Sequence, residues 1–81
     1  MIQEPIWPGL SLFAVTKSDS VNFSNDVRQL YVGTGGDVVV VTSEGTVITF
    51  KNVADGTTIG PFFIRRVNST GTTASNIVAF V

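Results

Sequence analysis

The chain contains no cysteine and no histidine, and it carries few charges: five basic and six acidic side chains over 81 residues. Each scarcity excludes a class of chemistry. Without cysteine there is no disulfide framework and no thiolate nucleophile. Without either residue the nitrogen and sulfur ligands of a structural zinc site are missing, and the commonest general base is lost. The carboxylates do not fall in the D-x-D-x-D-G pattern of a calcium loop. Lys17, Arg28, Lys51, Arg65 and Arg66 form no basic run, and the formal charge is −1, so the electrostatic footprint of a nucleic-acid binder is absent and we expect no direct DNA or RNA contact. No apolar run approaches the roughly 20 residues that cross a bilayer, and "MIQEPIWPGLSLFAV" lacks the basic start and cleavage site of a signal peptide. We expect synthesis in a cytoplasm and no membrane partner.

What the chain does have is apolar, strand-forming sequence, with a mean hydropathy of +0.36. A chain this short buries only about 60 to 65% of the surface its unfolded form exposes, so it commonly needs a staple. With disulfides and zinc excluded, partner subunits are the expected source of extra stability.

Along the chain, Pro5, Trp7, Pro8 and Gly9 predict an extended N-terminal arm over residues 1–9, because proline fixes φ and removes a backbone donor. Residues 10–81 then read as a single β domain. "LSLFAVT" suits a pleated strand, and "KSDSVNFSND" is a loop of about ten residues rich in side chains that compete for backbone hydrogen bonds. Five further apolar segments follow, "RQLYVG", "DVVVVTS", "TVITFKNV", "TIGPFFIRRV" and "SNIVAFV", separated by turn signals. No window offers a helical apolar face. The spacing predicts an all-β fold, a small antiparallel β-sandwich or barrel of about six short strands. "SEGT" predicts a tight hairpin with Gly45 supplying φ > 0, and Asp55-Gly56 a second turn. Pro61 cannot donate to a ladder, so its strand is expected at an edge or bulged there.

In "DVVVVT" both faces of one strand are apolar, and the same holds for Phe62-Phe63-Ile64 and for Ile77 to Val81. One face can enter the core. The other is expected under a neighbouring subunit, a partner or the Trp7 arm, since an antiparallel sandwich normally turns its second face to water.

Catalytic and cofactor sites are not predicted. Lys17 beside Ser18 would point to the opposite face of an extended segment, and nothing activates the serine. "GTGGD" at 33–37 lacks the lysine of a phosphate loop and is followed by valines rather than by a helix, so it reads as a connection between strands. Asp19, Asp26, Asp37 and Asp55 all fall in predicted turns. The candidate interface residues, toward further copies or another partner, are Ile6, Trp7, Phe62, Phe63, Arg65, Arg66, Phe80 and Val81. Tryptophan and arginine are favoured anchors, and neighbouring arginines on a strand point to opposite sides.

Several short stretches also stand in a set order along the chain: Ser18-Asp19-Ser20, Arg28, Leu30-Tyr31-Val32-Gly33, Gly36-Asp37-Val38, Gly45-Thr46-Val47, Thr49-Phe50, Arg66-Val67, Thr70-Gly71-Thr72-Thr73-Ala74 and Ile77-Val78-Ala79. Carrying these, the chain from about residue 14 to its end resembles the head-spike base proteins of tailed phages and gene transfer agents, which are related in role to capsid decoration or cement proteins. It departs from that pattern at the bulkier Gly60-Pro61-Phe62-Phe63 and in the first ten residues. The resemblance implies a non-enzymatic virion protein on the outer surface of a bacteriophage head, needing no cofactor. Its implied partners are the major capsid protein, further copies of itself in a trimer or pentamer, and a spike or fibre protein. The alternative reading is a carbohydrate or host-surface binding adhesin module, for which Phe23 is the one aromatic placed clearly in a loop.

Overall fold

The computed structural model describes residues 12–81, and the predicted arm, with Ile6 and Trp7, lies outside them. Seven strands form: β1 (Leu12–Ala14), β2 (Gln29–Thr34), β3 (Gly36–Thr42), β4 (Val47–Val53), β5 (Thr57–Ile59), β6 (Ile64–Val67) and β7 (Ser75–Phe80). They make two antiparallel sheets, of order β1-β7-β2-β5 (sheet A) and β4-β3-β6 (sheet B), with no closed barrel and no helix among the described residues. The all-β expectation holds, and the sandwich is chosen over the barrel. Leu30, Val32, Ile77 and Ala79 from sheet A meet Val38, Val40, Ile64 and Val67 from sheet B in one core, with Val27, Ile59 and Ala74 completing it.

Seven strands agree with the expected number of about six, and the extra one comes from a single segment. "TIGPFFIRRV", expected as one strand at an edge or bulged at Pro61, is two strands, β5 and β6, each at the edge of a different sheet. Gly60 takes φ 134°, and a Cβ there would stand 2.7 Å from the Arg28 carbonyl oxygen. Pro61, across a cis bond from it, offers no N–H to a ladder, so the chain leaves one sheet here and enters the other. The SEGT hairpin forms as expected. The Thr42 N–H donates to the Thr46 carbonyl at 2.9 Å and the Gly45 N–H to the Thr42 carbonyl at 2.8 Å, with Gly45 at φ 89°. This is a three-residue connection with glycine in the left-handed position.

The four-valine run is also corrected. Val38 and Val40 enter the core, but Val39 and Val41, on the opposite face, are buried as well, and by this chain itself. The 68–74 connection runs along β3: the Asn68 N–H donates to the Val39 carbonyl, the Val39 N–H donates to Thr72 Oγ1 at 2.9 Å, and Gly71 lies against the Val39 side chain. Arg66 and Val47 flank Val41 across the ladder. The valines therefore need no neighbouring subunit. That connection is clasped in turn by the 17–26 loop, where Asp19 accepts from the Thr70 N–H and hydroxyl (2.9 and 2.6 Å) and Lys17 Nζ donates to the Ala74 carbonyl.

The Thr70 hydroxyl and then its N–H hold the Asp19 carboxyl below its ordinary range. Asp37 is lowered by the Asn52 N–H first and by Lys51 second. Both groups are depressed in the folded state, so their stabilisation is complete above the unfolded value of about 3.9 and is lost as pH falls below it. Thermal melting between pH 7 and pH 2.5 should show a midpoint flat down to about pH 4.5 and falling below that. A D19N/D37N double variant should flatten the acid limb.

Candidate functional site

The residues that sequence weighed for catalysis are engaged in holding loops. Ser18 Oγ accepts from the Ser20 and Val21 N–H groups, Lys17 is tied to Ala74, and Asp55 Oδ1 accepts from the Gly35 N–H. Phe23, the loop aromatic an adhesin would offer to a sugar, packs edge-on against Phe13 with ring centroids 5.4 Å apart, and both rings lie against the core. An open cleft of about 520 Å³ beside them is lined by Phe13, Ala14, Val21, Phe23 and polar groups of the 16–25 segment.

The predicted interface residues separate into three places. Phe62 is half-buried and stacks on Phe50 at 6.1 Å, so it packs against the core, while Phe63 beside it is 54% exposed at the sheet switch. Arg65 donates to the Ser43 carbonyl, and Arg66 donates from Nε to Asn68 Oδ1 and from a terminal nitrogen to Asn22 Oδ1. Both arginines are half-buried, and the oxygens they bind are neutral. Phe80 is half-buried on the outward face of β7, with Val81 following it.

Phe80 is the member with a larger surface around it. Pairing sets Leu12 opposite Phe80, Ala14 opposite Val78, Tyr31 opposite Val78 and Gln29 opposite Phe80. Because side chains alternate along each strand, Leu12, Ala14, Tyr31, Val78 and Phe80 share the face of sheet A turned away from the core, with Gln29, Thr58 and Asn76 around them. Leu12 is 58% and Tyr31 39% exposed. Among the described residues, no Asp, Glu, Lys or Arg lies on this face. Sheet B differs: its outward side carries the Asp37–Lys51 ion pair, at 3.4 Å, and Arg66. Strands of three, six, six and three residues, spaced about 4.8 Å apart with a rise of about 3.3 Å per residue, give the uncharged face an area on the order of 300 Å². The apolar members Leu12, Ala14, Tyr31, Val78 and Phe80 cover part of that area, less than the roughly 300 to 600 Å² of the largest apolar patch on an ordinary monomer. Sequence named Phe80 but missed Leu12, Ala14, Tyr31 and Val78. Their period-2 spacing was visible within each segment, but which segments lie side by side was not.

No family model and no curated protein matches the chain. Among solved structures it is similar to a chain described as "Capsid of native GTA particle computed with C5 symmetry", GTA being a gene transfer agent. The two are 34% identical, the match covers 88% of this chain and 81% of the other, and the TM-score is 0.77. At that identity and coverage, this chain belongs to the family of virion structural proteins that includes that gene-transfer-agent capsid component.

Proposed function

We propose that the chain is a non-enzymatic protein of the outer surface of a phage-type head, where it binds the major capsid protein as a decoration or cement protein or as the base of a head spike. Kinship with a capsid component supports the virion setting. The observation that carries the surface role is the uncharged outward face of sheet A, centred on Val78 and Phe80. Its mechanism is binding alone. The face is smaller than the roughly 800 Å² that each partner contributes to a standard interface, so one copy attached by it alone would be held weakly. Several copies joined as a trimer or pentamer would gain avidity on a particle that repeats the same site. The arm with Ile6 and Trp7 supplies further contact area in this reading, as do the exposed Phe63 and the two arginines. Five copies suit a spike base at a vertex, and three suit a cement protein.

Imaging of particles assembled with and without the protein tests the reading. Density on the outer shell, present only with the protein and abutting capsid subunits, is expected. Density confined to the head interior or the tail would sink it.

A further inference from the structure

The two sheets have four edges, and they are not equally protected. β1 and β5 are three residues each. The outer edge of β6 is occupied by the connection between β1 and β2: the Ser18 N–H donates to the Val67 carbonyl, the Phe23 N–H to the Arg65 carbonyl and the Ile64 N–H to the Val27 carbonyl. β4 is seven residues long and ends sheet B, and among the described residues no strand lies on its far side. A long edge strand presents a row of unpaired backbone groups, which natural proteins usually blunt with charges, proline or bulges.

The blunting on β4 is one-sided. Lys51, Asn52 at φ 56° and the register shift opposite Gly36 and Val38 all fall in its C-terminal half. Val47 to Phe50 carries no charge and no proline, and Val47 and Ile48 are 57% and 39% exposed. The phase of the ladder follows from the hairpin. Thr42 donates to Thr46, so hydrogen-bonded pairs recur at Val40–Ile48 and Val38–Phe50. The N–H and C=O of Val47 and Thr49 therefore point away from β3.

We propose that this half of β4 pairs antiparallel with β4 of a second copy, about a twofold axis at Thr49, joining two copies of sheet B into one six-stranded sheet. The segment is complementary to itself in that register. Thr49 meets its own copy, Ile48 faces the partner copy's Phe50, and Lys51 falls opposite Val47 rather than opposite another lysine. Thr–Thr and aromatic–β-branched pairs are favourable across strands, and no like charges oppose. This contact is separate from the face of sheet A and does not depend on the capsid reading.

Sedimentation of the full-length protein over a concentration series should show even-numbered association: a dimer where β4 is the only contact, and paired rings where a trimer or pentamer also forms. A trimer or pentamer with no even-numbered species would overturn the proposal. T49P should weaken self-association at least tenfold while leaving the far-ultraviolet circular dichroism unchanged, because the Thr49 N–H is not used by β3. V47K, which adds a charge to the same edge, should do likewise if proline perturbs the strand. The chain has no cysteine of its own, so oxidised T49C should give a covalent dimer while T58C, on the face of sheet A, should not. A monomer at every concentration would overturn the proposal, as would a dimer trapped by T58C but not T49C, or unchanged association in both T49P and V47K.

Discussion

Leu30→Ala should lower the thermal midpoint by at least about 8 °C, the largest single-residue effect expected in this molecule. Leu30 is fully buried on β2, in the middle of sheet A, with Ala79 beside it on β7 and Ile59 on β5. Truncating a buried leucine removes its transfer free energy and leaves a cavity, at a typical cost of about 2 to 5 kcal/mol. An 81-residue chain has in total about 4 to 12 kcal/mol at the usual 0.05 to 0.15 per residue. At roughly 4 to 8 °C per kcal/mol for a domain of this size, even the low end of that cost is readily measured. Leu12→Ala supplies the contrast. Leu12 is 58% exposed, so its truncation should change the midpoint by no more than about 3 °C. Circular dichroism melts of both variants at one protein concentration decide the matter. Similar shifts would mean that the division into core and outward face is wrong.

That division was only partly legible in the sequence. Signals that act over a few residues were read correctly, because the physics behind them is local. Gly45 takes positive φ where SEGT needed it, and Asp55-Gly56 turns the chain between β4 and β5. What failed depends on contacts between distant segments. Pro61 announces that a ladder ends but not that the chain continues in the other sheet. The valine run implied a second cover, yet not that residues 68–74, some 30 positions later, would provide it. The candidate face was illegible for the same reason: it exists because β7 inserts between β1 and β2, which brings Phe80 beside Leu12. Arg65 and Arg66 stood out as neighbours on a strand, but the Ser43, Asn68 and Asn22 oxygens that engage them come from the hairpin and two separate loops.

Val78→Lys should reduce binding to capsid particles at least a hundredfold while leaving the protein folded. Val78 lies on the central strand pair of the uncharged face, flanked by Ala14 and Tyr31. In the free protein a lysine there can lay its stem over Tyr31 and extend its ammonium into water, so stability should shift by about 1 kcal/mol or less. Against a partner surface the same ammonium would be trapped without a counter-charge. An uncompensated charge of this kind costs about 3 to 5 kcal/mol, and a hundredfold loss of affinity corresponds to about 2.7 kcal/mol. Thr58→Lys, at the β5 border of the face, leaves its charge within reach of solvent and should cost less than tenfold. Thr46→Lys, in the exposed hairpin at the end of sheet B and outside the β4 pairing segment, should leave binding unchanged. Co-sedimentation of each variant with particles lacking the native protein measures all three. The ordering is the argument: a contact centred on Val78 penalises charge most at the centre of the face, less at its border and not at all on the other sheet. Equal losses for all three would instead indicate a general repulsion between added positive charge and the shell, and full binding by the Val78 variant would move the contact elsewhere.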